Sequence, residues 1–131
     1  MKPKPFDQFV SFISCRDLET ICAFYEKILG LEMVLDQGLC RIFRVAPNGF
    51  LGICTRLNPP KNKEGLVLTL VTDDVDGWYE YLKRFNLSFE KTPQFNEPFN
   101  IYHCLVRDPE GHRIEIQQFK DPNWPKPIPP P

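Results

Sequence analysis

The stretch Asp17-Leu18-Glu19-Thr20-Ile21-Cys22-Ala23-Phe24-Tyr25-Glu26-Lys27-Ile28-Leu29-Gly30 opens on a residue that caps helices and closes on one that ends them. An aspartate at the N-cap accepts hydrogen bonds from the unpaired backbone N–H groups of the first turn. A glycine just past the last turn takes the left-handed conformation without a Cβ penalty. Between them Leu18, Ile21, Cys22, Tyr25, Ile28 and Leu29 recur three and four residues apart, which makes one apolar stripe. The spacing predicts a helix over 18–29, stopped at Gly30. Before it, Phe9-Val10-Ser11-Phe12-Ile13-Ser14-Cys15 reads as a strand, and after it come short strands at about 31–35, 40–45 and 50–55. Asp36-Gln37-Gly38 and Pro47-Asn48-Gly49 are the turns between them. The order is βαβββ.

The same grammar starts again after Pro59-Pro60-Lys61-Asn62-Lys63-Glu64-Gly65, an exposed connection by composition. A strand at 66–71 is followed by Asp74 in the capping place of Asp17, and Val75, Trp78, Tyr79 and Leu82 repeat the stripe. Asn86 falls where Gly30 fell, as the residue after glycine best suited to positive φ. The two caps are 57 residues apart and the two stop positions 56, a period that marks a duplication. Further strands are expected at about 88–90, 101–106 and 113–118, with Asp108-Pro109-Glu110-Gly111 as the last turn. The fold class is therefore α+β: two tandem βαβββ modules, at about 7–57 and 66–119, forming a curved, partly closed mixed sheet around a cavity. The expected organisation is a single domain over 1–120 with a linker at about 58–65 and a proline-rich tail at 121–131. That tail reads as polyproline II, either a PxxP ligand for an aromatic groove or, as we favour, a terminus lying over the domain.

Composition excludes several function classes. With 42% hydrophobic and 25% charged residues among 131, the chain can bury a core and is not a disordered one. Its 16 Lys and Arg are scattered among 17 Asp and Glu, for a net charge of −1, so no basic face for nucleic acid is expected. No stretch has the length and apolarity of a signal peptide or a membrane span, and a cytoplasmic protein is expected. The five cysteines, Cys15, Cys22, Cys40, Cys54 and Cys104, are an odd number with no CxxC pair. Reduced, partly buried thiols are expected rather than disulfides or a zinc site.

The segment Asp17-Leu18-Glu19 with Ala23-Phe24-Tyr25-Glu26-Lys27-Ile28-Leu29-Gly30-Leu31 resembles the DLExxxxFYxxxLGL signature of the vicinal oxygen chelate superfamily, that of glyoxalases, bleomycin resistance proteins and dioxygenases. Arg107-Asp108-Pro109-Glu110-Gly111-His112-Arg113-Ile114-Glu115 resembles its DPxGxxIE closing hairpin, so the likeness runs from about Phe9 to Phe119. The resemblance implies a cavity that, in metal-dependent members, holds a divalent ion on a His or Gln of each module's first strand and a Glu of the last strand. The first-strand position lies seven residues before each capping aspartate, which is Val10 in one module and Val67 in the other; the last-strand position falls at Gly52 and Glu115. Val10, Gly52 and Val67 have no donor. Only Glu115 remains, so no metal site and no cofactor are expected, and a divalent metal is disfavoured.

Strand alternation names the side chains that would face the cavity. Val10, Phe12 and Ser14, Phe50, Gly52 and Cys54, Val67, Thr69 and Val71, and Arg113, Glu115 and Gln117 are the inward sets. The candidate ligand-binding residues are Phe12, Ser14, Phe50, Cys54, Thr69, Arg113, Glu115 and Gln117. Glu115 and His103 are the catalytic candidates, as general base or anchor and as proton shuttle, against the alternatives of a structural Arg113–Glu115 pair and a satisfied histidine. His112, on the opposite face by parity, is read as structural or exposed. Arg41 and Arg44 lie on opposite faces of one strand, and parity does not say which enters the cavity. Three functions follow: a metal-independent small-molecule-binding protein resembling the bleomycin-resistance branch, which we favour; a glyoxalase-type lyase, isomerase or dioxygenase with an unusual ligand set; and an interaction module acting through the tail. A small-molecule ligand, a homodimer, and no nucleic-acid or membrane partner are expected.

Overall fold

A computed structural model describes residues 2–128, which form two compact units, one of residues up to Pro60 together with Ile128 and one of Lys61–Pro127. The division falls inside the proline-rich connection.

The first unit runs β1 (Phe9–Cys15), α1 (Leu18–Ala23), β2 (Glu32–Asp36), β3 (Cys40–Ala46) and β4 (Gly49–Thr55). Its sheet has the order β1-β4-β3-β2, with β1 parallel to β4 and the other pairs antiparallel. Asp17 caps α1 as expected, accepting from Thr20 N at 3.2 Å and Thr20 Oγ1 at 2.7 Å. The helix departs from the predicted 18–29 in one respect. It is α-helical only to Ala23 and continues as a π turn over Phe24–Ile28. Leu29 N donates to Phe24 O at 3.0 Å, five residues back, and Gly30 then turns the chain out at φ +73. A π turn adds one residue to the turn, so the stripe is carried slightly around the axis, and Phe24 and Tyr25 are both buried. The core of this unit lies between α1 and the sheet: Ile13, Cys15, Ile21, Tyr25, Phe43 and Ile53.

The second unit repeats the order with β5 (Val67–Val71), α2 (Val75–Leu82), β6 (Phe89–Asn96), β7 (Ile101–Arg107) and β8 (Arg113–Phe119), in the sheet order β5-β8-β7-β6. Asp74 caps α2, accepting from Gly77 N at 3.0 Å. Asn86 does not take the left-handed position expected of it: the only non-glycine residue at positive φ among the described residues is Asn100. The physical reason is that α2 stops at Leu82 and leaves through tight turns, Arg84 N to Tyr81 O and Phe85 N to Leu82 O, so the chain has already turned before Asn86. Strand β6 is longer than the expected 88–90 and holds Pro93, which an edge strand tolerates because one row of its backbone groups has no ladder partner. Leu82, Val75, Cys104, Val106, Ile114 and Ile116 close the core against α2.

The tail as far as Pro127 belongs to this unit. Trp124 stacks on Phe119 with centroids 3.6 Å apart and planes 14° from parallel. Pro129 to Pro131, the end of the proline run, lie outside the described residues. No helix among the described residues is long and apolar enough to cross a membrane.

Candidate functional site

The first unit places Phe12, Ser14, Phe50 and Cys54 on one face of its sheet. β1 and β4 run in parallel register with Phe12 beside Gly52 and Ser14 beside Cys54. Alternation puts Ile13, Leu51 and Ile53 on the other face, buried under α1. The register also decides between the two arginines. Arg44 is opposite Phe50 and lies over its ring at 5.0 Å, whereas Arg41, opposite Ile53, reaches Glu19 on α1 at 2.5 Å. Arg44 is itself engaged by Glu32 at 3.2 Å and the Pro47 carbonyl at 2.9 Å.

Gly52, where the resemblance implies a carboxylate, is roofed by the Phe12 ring. A Cβ added there would overlap that ring, a cross-strand arrangement in which an aromatic covers a glycine's bare backbone. Phe12 is 57% exposed, so its ring has room to swing away. Gly52→Ala is expected to displace it and cost about 1–2 kcal/mol. Urea denaturation of Gly52→Ala, Phe12→Ala and the double variant should show the two changes coupled, the alanine at 52 being nearly free once the ring is gone. Additive effects would contradict the packing described.

The fate of Cys54 corrects the thiol expectation. Cys40 is its direct partner across the β3–β4 ladder, and the two form a disulfide. Spacing in sequence did not reveal it, because the pair is created by strand register 14 residues apart. Cys15, Cys22 and Cys104 are buried thiols outside any disulfide, in keeping with the expectation. Burial raises the Cys22 and Cys104 thiols to about 11.

The second unit assembles its candidates more tightly. Thr69 on β5 is the register partner of Glu115 on β8, and His103 on β7 is the partner of Gln117. Two residues apart along β8, Glu115 and Gln117 share a face, so four polar side chains from three strands converge. Glu115 Oε1 accepts from Thr69 Oγ1 at 2.9 Å, and Oε2 lies 2.6 Å from His103 Nδ1. The Gln117 amide, oriented with its nitrogen toward the carboxylate, donates to Oε2 at 3.0 Å and Oε1 at 2.6 Å; the reverse orientation would set oxygen against oxygen. His103 and Gln117 are buried, at 3% and 6% exposure, while the Glu115 side chain keeps 15%. The carboxylate is thus held on three sides and reached by solvent on the remaining one.

Arg113 directs its hydrogen bonds away from Glu115, the partner the sequence suggested, and acts on that carboxylate only through space. Its guanidinium makes a two-pronged bond to Glu90 on β6, at 3.2 and 2.6 Å. Arg107 joins from β7, at 2.7 Å from Glu90 and 3.1 Å from Glu64. The bond from Arg113 holds the Glu90 carboxyl below the usual carboxylate range. The planar fork of arginine favours a carboxylate it can meet in its own plane, and Glu90 offers that geometry from the adjoining strand. Glu90 was not singled out from sequence; only the β6–β7–β8 pairing reveals it. His112, by contrast, is structural as parity implied: it is buried, with Nδ1 at 2.8 Å from Asp108 Oδ2.

The donor set does not fit a divalent metal in the manner the resemblance implies. Val10, Val67 and Gly52 offer no ligand atom, and both Glu115 oxygens already accept from side chains. Among the described residues no group of three or more His, Cys, Asp and Glu side chains is arranged to hold a metal ion.

Comparison with known proteins agrees with this fold. Among solved structures, a glyoxalase/bleomycin resistance protein/dioxygenase from Nocardioides superposes with a TM-score of 0.75 at 17% identity, covering 98% of this chain and 93% of that one. A lactoylglutathione lyase from Agrobacterium tumefaciens gives 0.69 at 22% identity, covering 88% and 95%. TioX from Micromonospora sp. ML1 gives 0.70 at 16%, covering 85% and 97%. These likenesses establish architecture only. No curated protein sequence matches the chain. The family model of the Glyoxalase/Bleomycin resistance protein/Dioxygenase superfamily matches residues 6–116, and with its two βαβββ units the chain belongs to that superfamily.

Proposed function

We propose that this member of the superfamily binds a small molecule without a metal, using Glu115 as the central polar anchor of the β5–β8–β7 face. The observation that carries the reading is the enclosure of the carboxylate by Thr69, His103 and Gln117. Such an enclosure orients a hydrogen-bond acceptor toward the one open side, and a preorganised acceptor favours a ligand with a hydroxyl or N–H donor. The arginines of the same face are committed to Glu90 and Glu64, so an anionic ligand has no free partner there. An apolar body with one donor group fits this chemistry.

The 2.6 Å contact between His103 and Glu115 supports a second reading, in which the pair moves a proton during a glyoxalase-type lyase or isomerase reaction. One experiment separates the two. The protein as purified is assayed for divalent metals, then screened by thermal shift against hydroxylated and amine-bearing aromatic compounds, with and without a chelator. Metal-free protein with chelator-insensitive stabilisation by a ligand is expected. A stoichiometric metal whose removal abolishes ligand stabilisation would sink the proposal. Turnover of a bound ligand that Glu115→Gln abolishes while leaving binding intact would establish the second reading instead.

A further inference from the structure

Cys40 and Cys54 differ from the other cysteines in exposure as well as in pairing. Cys15, Cys22 and Cys104 are 0%, 3% and 0% exposed, whereas Cys40 and Cys54 are both partly open to solvent. Accessibility is the first condition for thiol–disulfide exchange, and burial keeps the other three as inert thiols.

The sheet holds this pair together independently of the bond. β3 is hydrogen-bonded to β2 on one side and β4 on the other, and β4 is bonded to β1 as well. Just beyond the pair, Gln37 N donates to Cys40 O and Thr55 N to Leu39 O, both at 2.8 Å, so the backbone is fixed at its ends too. Breaking the sulfur bridge leaves two thiols facing each other on one face of an intact ladder. Reclosing it therefore orders almost nothing, and the second thiol acts at the high effective concentration of an intramolecular partner. The pair also lies on the face that carries Phe12 and Gly52, with Cys54 beside Ser14.

We propose that Cys40 and Cys54 are a reversible dithiol–disulfide site, closed by low-molecular-weight disulfides such as oxidised glutathione and reopened by the corresponding thiols. In closing, one protein thiolate attacks a sulfur of the small disulfide, breaking its S–S bond and expelling one small thiolate. The second protein thiolate attacks the protein sulfur of that mixed disulfide and expels the other. Two electrons pass from the protein to the oxidant, and the two protein protons end on the two small thiols released.

The test uses the full chain, reduced with dithiothreitol, desalted under nitrogen and divided. One portion is alkylated with N-ethylmaleimide and mapped by peptide mass; the other meets oxidised glutathione first. Alkylation of Cys40 and Cys54 at least tenfold faster than of Cys15, Cys22 and Cys104 is expected in folded protein, with a denatured sample as the reference for equal reactivity. After oxidised glutathione, both labels should vanish, with the intact mass lower by two hydrogens and no glutathione retained. Cys40→Ser should instead retain one glutathione, on Cys54. Should that variant not fold, Cys54→Ser gives the mirror result on Cys40. Undiminished labelling after the oxidant, equal labelling of all five cysteines, or wild-type protein that retains glutathione as the single variants do would each overturn the proposal.

Discussion

Replacing Asp108 with alanine is expected to lower the unfolding free energy by about 3–5 kcal/mol, the range for removing one partner from a buried polar pair. The Asp108 side chain is fully buried and accepts from Glu110 N at 2.9 Å, His112 N at 3.0 Å and His112 Nδ1 at 2.8 Å. Alanine leaves His112 N and Nδ1 without that acceptor in a buried place and removes the part-buried bond from Glu110 N, and unpaired buried donors are costly. The same residue shapes the β7–β8 turn, where Gly111 stands at φ +90 and Asp108 N donates to His112 O. Asp108→Asn keeps one oxygen of the right size but places an amide against His112, so a smaller loss is expected. Urea denaturation with the slope monitored is the check, and a loss under about 1 kcal/mol for the alanine variant would contradict the account of this turn.

Glu115→Ala is expected to act on stability and on binding together. Thr69, His103 and Gln117 lose a common acceptor, and hydrogen bonds to a charged group are worth more than neutral ones, so about 2 kcal/mol is expected. The loss is smaller than at Asp108 because the Glu115 side chain is 15% exposed and water can take some of the vacated bonds. Ligand affinity should fall by about tenfold or more, the equivalent of about 1.4 kcal/mol, if the carboxylate is the anchor proposed above. Thr69→Val offers a comparison that removes one donor and leaves the acceptor. It should weaken stability slightly and leave the affinity within a few-fold of wild type. Calorimetric titration with a compound found by thermal shift, run beside urea denaturation, reads both quantities. Undiminished affinity for Glu115→Ala would remove Glu115 as the anchor whatever its effect on stability.

Much of the fold was legible because it is written in local chemistry. Asp17 and Asp74 cap their helices through their own side chains, within three residues of the atoms they bind. The division of strand residues between two faces was legible for the same reason, since alternation is a property of a single strand. Exposure along β5 follows it, with Val67, Thr69 and Val71 more open than Leu68 and Leu70. The π turn was not legible, because a stripe of apolar residues is compatible with more than one helical register. Asn86 misled because a repeat conserves spacing more faithfully than it conserves the conformation of a loop.

The candidate site was legible as a list of residues and much less as a set of bonds. Parity put Arg113 and Glu115 on one face, and adjacency on a face invited a pairing. Glu90 enters only when β6 lies beside β7 at its observed register, and a planar guanidinium then finds a better partner there. His103 and Glu115 meet because antiparallel β7 and β8 are joined by one short turn. Cys40 and Cys54 were counted, and the odd total argued against a framework of bridges. A single cross-strand pair is compatible with any count.

By itself the amino-acid sequence determined the elements, their duplicated order, the face each strand residue occupies and the lack of a donor at Val10, Gly52 and Val67. These depend on the backbone preferences and the chemistry of residues close in the chain. Tertiary structure alone decided that Phe12 roofs Gly52, that Arg44 rather than Arg41 shares a face with Phe50, that Arg113 binds Glu90, and that Glu115 is enclosed by Thr69, His103 and Gln117. Each joins atoms on different strands, where a shift of register by one residue turns every side chain to the opposite face. That choice is made by packing across the whole sheet, and no short stretch of chain contains it.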